Sequence, residues 1–160
     1  MSYMDASVII CDYAQVNNNK MYIVGAAGNL LVTQQAEAPH AINAWAAILV
    51  AVPWHSHNQA HKLVVSLVDE DGHKIPLAHA LPGAKVSPED EGSVVGQFNA
   101  GRSPIMQAGD ETVMPMAVPL QLQVPRLGGY RVMLEIDGTE VASARFRVVF
   151  PPSLGMPLAS

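Results

Sequence analysis

The most evident shortage in this sequence is charge. Only 14% of its 160 residues are Asp, Glu, Lys or Arg, against roughly 25% in an average soluble domain. Hydrophobic residues make up 49% of the chain and the net charge is −5, which excludes a disordered chain and a coiled coil. With nine Lys and Arg residues, the chain lacks the basic surface typical of nucleic-acid binding, and we expect no nucleic-acid partner.

Cysteine and long apolar segments are scarce as well. The single cysteine, Cys11, cannot form an intramolecular disulfide, and this favours a reducing compartment such as the cytoplasm. The longest apolar run covers residues 44–54, which is too short to cross a bilayer as a helix. The first ten residues contain no Lys or Arg, unlike a secretory signal. We therefore predict a cytoplasmic protein without membrane insertion.

Most of the chain instead shows the alternating, β-branched pattern of strands. Residues 7–16 and 21–24 flank three asparagines at 17–19, which predict an opening hairpin because Asn tolerates left-handed backbone. The clearest element is a hairpin in residues 130–148, whose two alternating strands are separated by an Asp-Gly turn at 137–138. About eight short strands predict an all-β fold with little or no helix: an antiparallel two-sheet β-sandwich, immunoglobulin-like or jelly-roll-like.

Two segments are less clear. Residues 41–52 combine helical spacing of apolar side chains with a terminal run typical of a buried strand; we prefer the strand because the flanking sequence is β-rich. Residues 113–124 contain Pro115 and Pro119, which cannot donate to a sheet ladder. This segment is therefore expected at a sheet edge or broken by bulges. We predict one domain over residues 1–150, followed by an uncharged apolar tail over residues 151–160.

The distribution of apolar residues predicts self-association. Leu63 and Val65 lie on one face of a predicted strand while Val64 and Val68 lie on the other, and residues 44–52 offer no polar face. Large exposed apolar patches are rare on monomers, so we expect a second subunit or another protein to cover these faces, with the tail docking on the domain or on a neighbour. The predicted interface residues are Val64, Val68, Trp45, Trp54, Leu154, Met156 and Leu158.

Three histidines form the sharpest chemical constellation, in the segment His-Ser-His-Asn-Gln-Ala-His. His55 and His57 are two residues apart and would face the same way on a strand, so they could share a metal with His61. Metal-binding cupins have a similar His-x-His segment, but they add a nearby Glu and a later Gly-rich segment with another His, and both are missing here. A polar loop between two strands is the simpler interpretation.

Some segments resemble an uncharacterised family of small all-β domains, found mainly in actinobacteria. The resemblance covers nearly the whole chain and depends on residues 11–14, Pro53-Trp54 with Asn58 and His61, residues 67–72 and residues 129–131. It implies a small cytoplasmic β-sandwich of unknown function. It also implies that Trp54 and His61 belong to a fold signature, which favours a structural role for both.

The sequence contains no nucleophile motif, phosphate-binding loop or dinucleotide fingerprint. We therefore expect no enzyme activity and no cofactor. Our leading interpretation is a non-catalytic, self-assembling interaction or scaffold protein. One alternative is a metal-dependent, cupin-like enzyme that uses His55, His57 and His61. A second alternative is a small-ligand carrier with a pocket lined by Trp45 and Trp54.

Overall fold

Ten β-strands dominate the computed structural model, which describes residues 4–77 and 87–151. Within these ranges there is no α-helix, only two single turns of 3-10 helix at Trp54–Ser56 and Pro88–Asp90. The prediction of an all-β chain is confirmed, although the strands outnumber the eight expected. The strands are β1 (Asp5–Asn17), β2 (Lys20–Ala26), β3 (Leu30–Val32), β4 (His40–Val52), β5 (His61–Asp69), β6 (Lys74–Ile75), β7 (Val94–Phe98), β8 (Thr112–Val124), β9 (Gly128–Ile136) and β10 (Thr139–Val149).

Sheet A contains four antiparallel strands in the order β2-β1-β4-β8. The predicted opening hairpin is confirmed as β1 and β2, joined at Asn18 and Asn19, which both have positive φ. Residues 41–52 form a strand, since they lie within β4. The prediction for the two prolines is also confirmed, because Pro115 and Pro119 lie on β8 at the edge of the sheet. An edge strand tolerates proline where the missing N–H would point away from the neighbouring strand.

Sheet B contains the other six strands in the order β3-β10-β9-β5-β6, with β7 also paired to β5. The predicted hairpin of β9 and β10 is confirmed, and its turn residues Asp137 and Gly138 both have positive φ. The expectation of a purely antiparallel fold is wrong, because β3 runs parallel to β10 with Leu30 opposite Arg147. This pairing joins a three-residue strand to a distant one, so no local turn signal encodes it.

Side chains from both sheets meet in one hydrophobic cluster. In sheet A the even-numbered residues of β4, such as Ile48 and Val50, contribute to it and are fully buried. In sheet B the alternate positions of β5 and β9 do the same, including Val65 and Leu134. This cluster buries one face of each sheet. The opposite, outer faces are the surfaces that a ligand or a partner can reach.

Some expectations concern the rest of the chain. Leu154, Met156 and Leu158 of the predicted docking tail lie outside the described residues, so their predicted contacts stay predictions. Among the described residues, no helix has the length and hydrophobicity needed to cross a membrane.

Candidate functional site

His61 occupies a structural position at the start of β5. Its Nδ1 lies 2.7 Å from an Asp137 carboxylate oxygen, and its Nε2 lies 2.7 Å from the Ser56 carbonyl oxygen. Burial opposes protonation, but the hydrogen bonds to Ser56 and Asp137 favour the charged ring more strongly, so the pKa of His61 lies above its usual value. Because both ring nitrogens face oxygen acceptors, the protonated ring can donate to both at once.

The other two predicted metal ligands do not gather around His61. His55 is exposed, whereas His57 is buried with both ring nitrogens lacking a hydrogen-bond partner among the described residues. The ring of His57 lies against Trp54, with a centroid distance of 5.8 Å. In the part of the chain described, the three histidines do not form a group of ligand atoms within 4.8 Å of one another. A shared metal would require their rearrangement, and the metal site stays a prediction.

A different cluster has the proximity that the histidines lack. Potential ligand atoms of Asp69, Asp71 and His73 lie within 4.8 Å of one another at the turn after β5. Burial acts against ionisation of Asp69, but N–H donors of His73 and Asp71 and the nearby Arg126 charge outweigh it, so the pKa of Asp69 is lowered. These contacts explain the cluster as a charged hairpin turn, in agreement with its Asp-Gly turn signal.

The predicted interface residues have different environments. Val64 is buried within the single chain, so little of its side chain is free for a partner, while Val68 is half-buried. Trp54 lies in the 3-10 turn after β4, where the Arg102 guanidinium stacks 3.8 Å from the ring centroid. Trp45 lies on β4, half-buried. Trp45 lies in sheet A and Val64 lies in sheet B. The two residues therefore cannot belong to the same face of one sheet.

The outer face of sheet A is mainly apolar along the middle of β4. Tyr13 packs edge-on against Trp45 at 5.1 Å, and Cys11 and Ala47 form a second hydrophobic cluster with neighbours that include Ile9. Tyr13 (45%) and Val113 (53%) are exposed, whereas Cys11 and Ala47 are buried within the chain, where Met21 and Ile23 of β2 pack against them. We call this surface face A; its residues are Asp5, Ser7, Ile9, Cys11, Tyr13, Trp45, Ala47, Leu49, Ala51, Val113, Pro115, Ala117 and Pro119.

Sheet B has an outer surface of the opposite character. A groove there has a volume of about 880 Å³ and is lined by three arginines: Arg131 on β9, and Arg145 and Arg147 on β10. Leu30 and Val68 contribute apolar wall, and Asp69 and Glu70 lie at the turn after β5. We call this cavity the arginine groove. Neither Trp45 nor Trp54 lines it, so it differs from the pocket predicted for a ligand carrier.

Sequence reasoning missed these arginines as a group. A signal was present, since Arg131 and the pair Arg145 and Arg147 occupy alternating positions on the two strands of a clearly predicted hairpin. The structure adds the register that makes Arg131 and Arg145 direct partners. It also adds β3, which brings Leu30 beside Arg147.

Comparison with known proteins supports the resemblance seen in the sequence. A model of a family of unknown function, DUF6941, matches residues 6–149. No curated protein matches the sequence.

Two solved structures match this chain at low identity. The first, a β-glucuronidase from glycoside hydrolase family 2, is 13% identical with a TM-score of 0.41, over 72% of this chain and 10% of that chain. The second, the Pseudomonas fluorescens alkylpurine DNA glycosylase AlkC bound to DNA containing an abasic site analog, is 11% identical with a TM-score of 0.42, over 91% of this chain and 30% of that chain. The chain thus spans less than a third of either protein, and neither likeness informs its function.

Proposed function

We propose that this chain, which belongs to the family of unknown function DUF6941, is a non-catalytic protein that self-assembles by pairing face A with face A of a second copy. The observation that carries the proposal is the apolar character of face A, on which Asp5 at one end is the single charged residue, together with the exposure of Tyr13 and Val113. An apolar surface of this kind is usual at interfaces and rare on monomers.

The proposed assembly follows from a β-sandwich arrangement of the two sheets. In this arrangement the shared hydrophobic cluster fills the space between the sheets, which leaves face A as an outer surface of sheet A. An antiparallel sheet of a sandwich usually carries polar residues on its outer face. Face A lacks them along the middle of β4, where Trp45, Ala47 and Leu49 alternate with core residues. Residues of the opening hairpin, including Ala14 and Ile23, cover Ala47 within the chain, and burial of the remaining surface against a partner would explain this departure.

A second copy is compatible with the charge distribution. The chain carries a net charge of −5, so two copies repel each other at long range, and a contact through an apolar surface adds little to that repulsion. A twofold interface uses the same patch on both subunits. The middle of face A contains no charged side chain that would lose its hydration on association, which avoids the main cost of burying polar surface.

The single cysteine supports the cytoplasmic location proposed for the assembly. Burial, followed by the nearby Asp12 charge, raises the pKa of Cys11. Its thiol is therefore mostly protonated at neutral pH and unreactive within face A. A reduced, buried thiol suits a protein that works in a reducing compartment.

Light scattering with size-exclusion chromatography tests the proposal. We expect the full chain to form a discrete dimer at micromolar concentration. We expect Tyr13→Lys and Val113→Lys to be monomeric, because each brings a positive charge into face A at an exposed position that folding tolerates. The control is Ser143→Lys, at an exposed position of β10 in sheet B, which should remain dimeric.

Two results would overturn the proposal. One is a full chain that is monomeric at these concentrations. The other is a dimer that persists unchanged in both face A variants. A chain ending at residue 151 provides a further comparison, since dimerisation through face A predicts that this shorter chain also dimerises. Association of the shorter chain alone would instead indicate that the tail covers face A within one subunit.

A further inference from the structure

We propose that the arginine groove binds a small multivalent oxyanion, one that carries phosphate or carboxylate groups. Arg131, Arg145 and Arg147 line the groove, and the whole sequence contains only two other arginines. Most of the guanidinium groups of an acidic protein therefore lie in one cavity. The groove is on sheet B, so this inference does not depend on assembly through face A.

The strand register places the three positive charges close together, and their mutual repulsion destabilises the fold. Arg131 and Arg145 are direct partners on β9 and β10, and Arg147 lies two residues further along β10 on the same face. Like charges directly opposite each other destabilise an antiparallel pair. A bound anion would neutralise this repulsion, whereas a purely structural surface gains nothing from it.

Two of the three guanidinium groups are available to a ligand. Arg131 Nη1 lies 2.6 Å from Glu140 Oε1, so its charge is already balanced. Arg145 and Arg147 are exposed, and neither forms an ion pair with any of the described residues. Arginine recognises phosphate and carboxylate through paired N–H donors. Arg145 and Arg147 can therefore donate hydrogen bonds to an anion without first breaking an ion pair.

The acidic residues at the turn end of the groove are held by other contacts. Glu70 Oε1 accepts a hydrogen bond from the Gly129 backbone N–H at 2.7 Å. Gly129 permits this approach, because a Cβ at that position would lie 2.5 Å from the same oxygen. Asp69 accepts hydrogen bonds from the N–H groups of Asp71 and His73. Both carboxylates are thereby engaged by backbone donors.

The dimensions of the groove limit the ligand to a small molecule. Its volume of about 880 Å³ falls within the roughly 300–1,000 Å³ typical of small-molecule sites. Leu30, which is 56% exposed, and Val68 provide apolar surface beside the charges. We therefore expect an anion with two or more charges, and we expect an attached apolar group to increase its affinity.

Calorimetric titration with pyrophosphate and with citrate tests the proposal at constant ionic strength. We expect saturable binding of at least one of them, and the comparison of the two distinguishes phosphate from carboxylate as the recognised group. We expect Arg145→Gln and Arg147→Gln each to weaken binding about tenfold, because each removes charge-assisted hydrogen bonds. The control is Lys20→Gln, which removes one positive charge at the start of β2 in sheet A and should bind like the original chain.

Three results would overturn the proposal. The first is that neither anion binds more tightly than chloride. The second is that Arg145→Gln and Arg147→Gln bind as tightly as Lys20→Gln. The third is that single-stranded DNA binds more tightly than pyrophosphate and competes with it, since the groove would then serve an extended polyanion.

Discussion

The outer faces of the two sheets differ in chemistry although both belong to one small chain. Face A presents Tyr13, Trp45 and Leu49 and has Asp5 at one end as its single charged residue. Sheet B instead presents the arginine groove and the Arg131–Glu140 ion pair. Strand alternation alone does not separate them, because both sheets send alternate residues to the shared cluster. The difference shows that the character of the outward residues decides which surface can be buried and which stays hydrated.

The contrast begins within single strands. In β4 the outward positions Trp45, Ala47 and Leu49 are apolar, as are the inward positions between them. In β10 the outward positions Arg145 and Arg147 alternate with Phe146 and Val148, which are buried. Three predictions sharpen this comparison, and they are given in order of decreasing effect.

Two adjacent residues of β4 provide the largest expected effect. Ile48→Ala removes a side chain that is fully buried in the shared cluster, and we expect a loss of about 2–5 kcal/mol in the free energy of unfolding. Leu49→Ala removes a half-buried side chain on face A and should cost under about 2 kcal/mol in the monomer. Urea denaturation at low protein concentration measures both. Equal losses would show that face A is as well packed within one chain as the core is.

Asp137→Asn tests the contact between the buried His61 ring and the exposed Asp137 carboxylate at the end of sheet B. It removes the carboxylate that accepts from His61 Nδ1. Because solvent screens that carboxylate, we expect a loss of only about 1 kcal/mol in the free energy of unfolding near pH 5 to 6. Asn tolerates the positive φ of this turn position, so the backbone should not change. Urea denaturation between about pH 4 and pH 9 provides the measurement.

The sign of the pH dependence follows from two pKa shifts. The raised pKa of His61 gives a stabilisation that is complete below its unfolded pKa of about 6.5 and is lost as the pH rises through the folded value. Burial acts to raise the pKa of Asp137, but hydrogen bonds from His61 and Lys62 lower it overall, so its contribution is lost only as the pH falls through that lowered value. The free energy of unfolding of Asp137→Asn should therefore fall less steeply than that of the original chain as the pH rises from about 6.5 to 9. A loss as steep as in the original chain would contradict this, and Glu111→Gln, at an exposed position, is the control.

Glu140→Gln provides the smallest expected effect on stability. The Arg131–Glu140 pair is partly exposed on both sides, so its removal should cost under about 1 kcal/mol. It also releases the Arg131 guanidinium beside Arg145, and we expect pyrophosphate to bind a few-fold more tightly in a calorimetric titration. Glu111→Gln removes the same charge elsewhere and corrects for net charge. Weaker binding than in that control would show that the ion pair shapes the groove rather than competing with the ligand.

The predictions that succeeded depended on local signals. The Asp-Gly turn at Asp137 and Gly138 predicted the last hairpin because few residues adopt positive φ at both positions. Pro115 and Pro119 predicted an edge strand because each lacks an N–H donor. The resemblance to a family of unknown function implied a structural role for His61; that role stays a prediction, and the two contacts of the ring with Asp137 and Ser56 agree with it.

The features that sequence reasoning missed depend on distant residues. Asp137 lies 76 positions from His61, so nothing near the histidine segment indicated that its ring would be engaged. The grouping of Arg131 with Arg145 depends on a register shift between Glu140 and Ala142. A one-residue change in register moves side chains to opposite faces of a sheet, and alternation by itself cannot locate such a shift.

The amino-acid sequence by itself determined the strands, their main turns and the shortage of charge, because backbone propensity and alternation act over a few residues. Only the tertiary structure decided where that shortage lies. It divided the apolar positions of β4 between the shared cluster and face A, covered Val64 within the chain, and paired β3 with β10 beside Arg147. Those outcomes depend on which distant strands become neighbours, and burial and charge proximity are properties of neighbours in space.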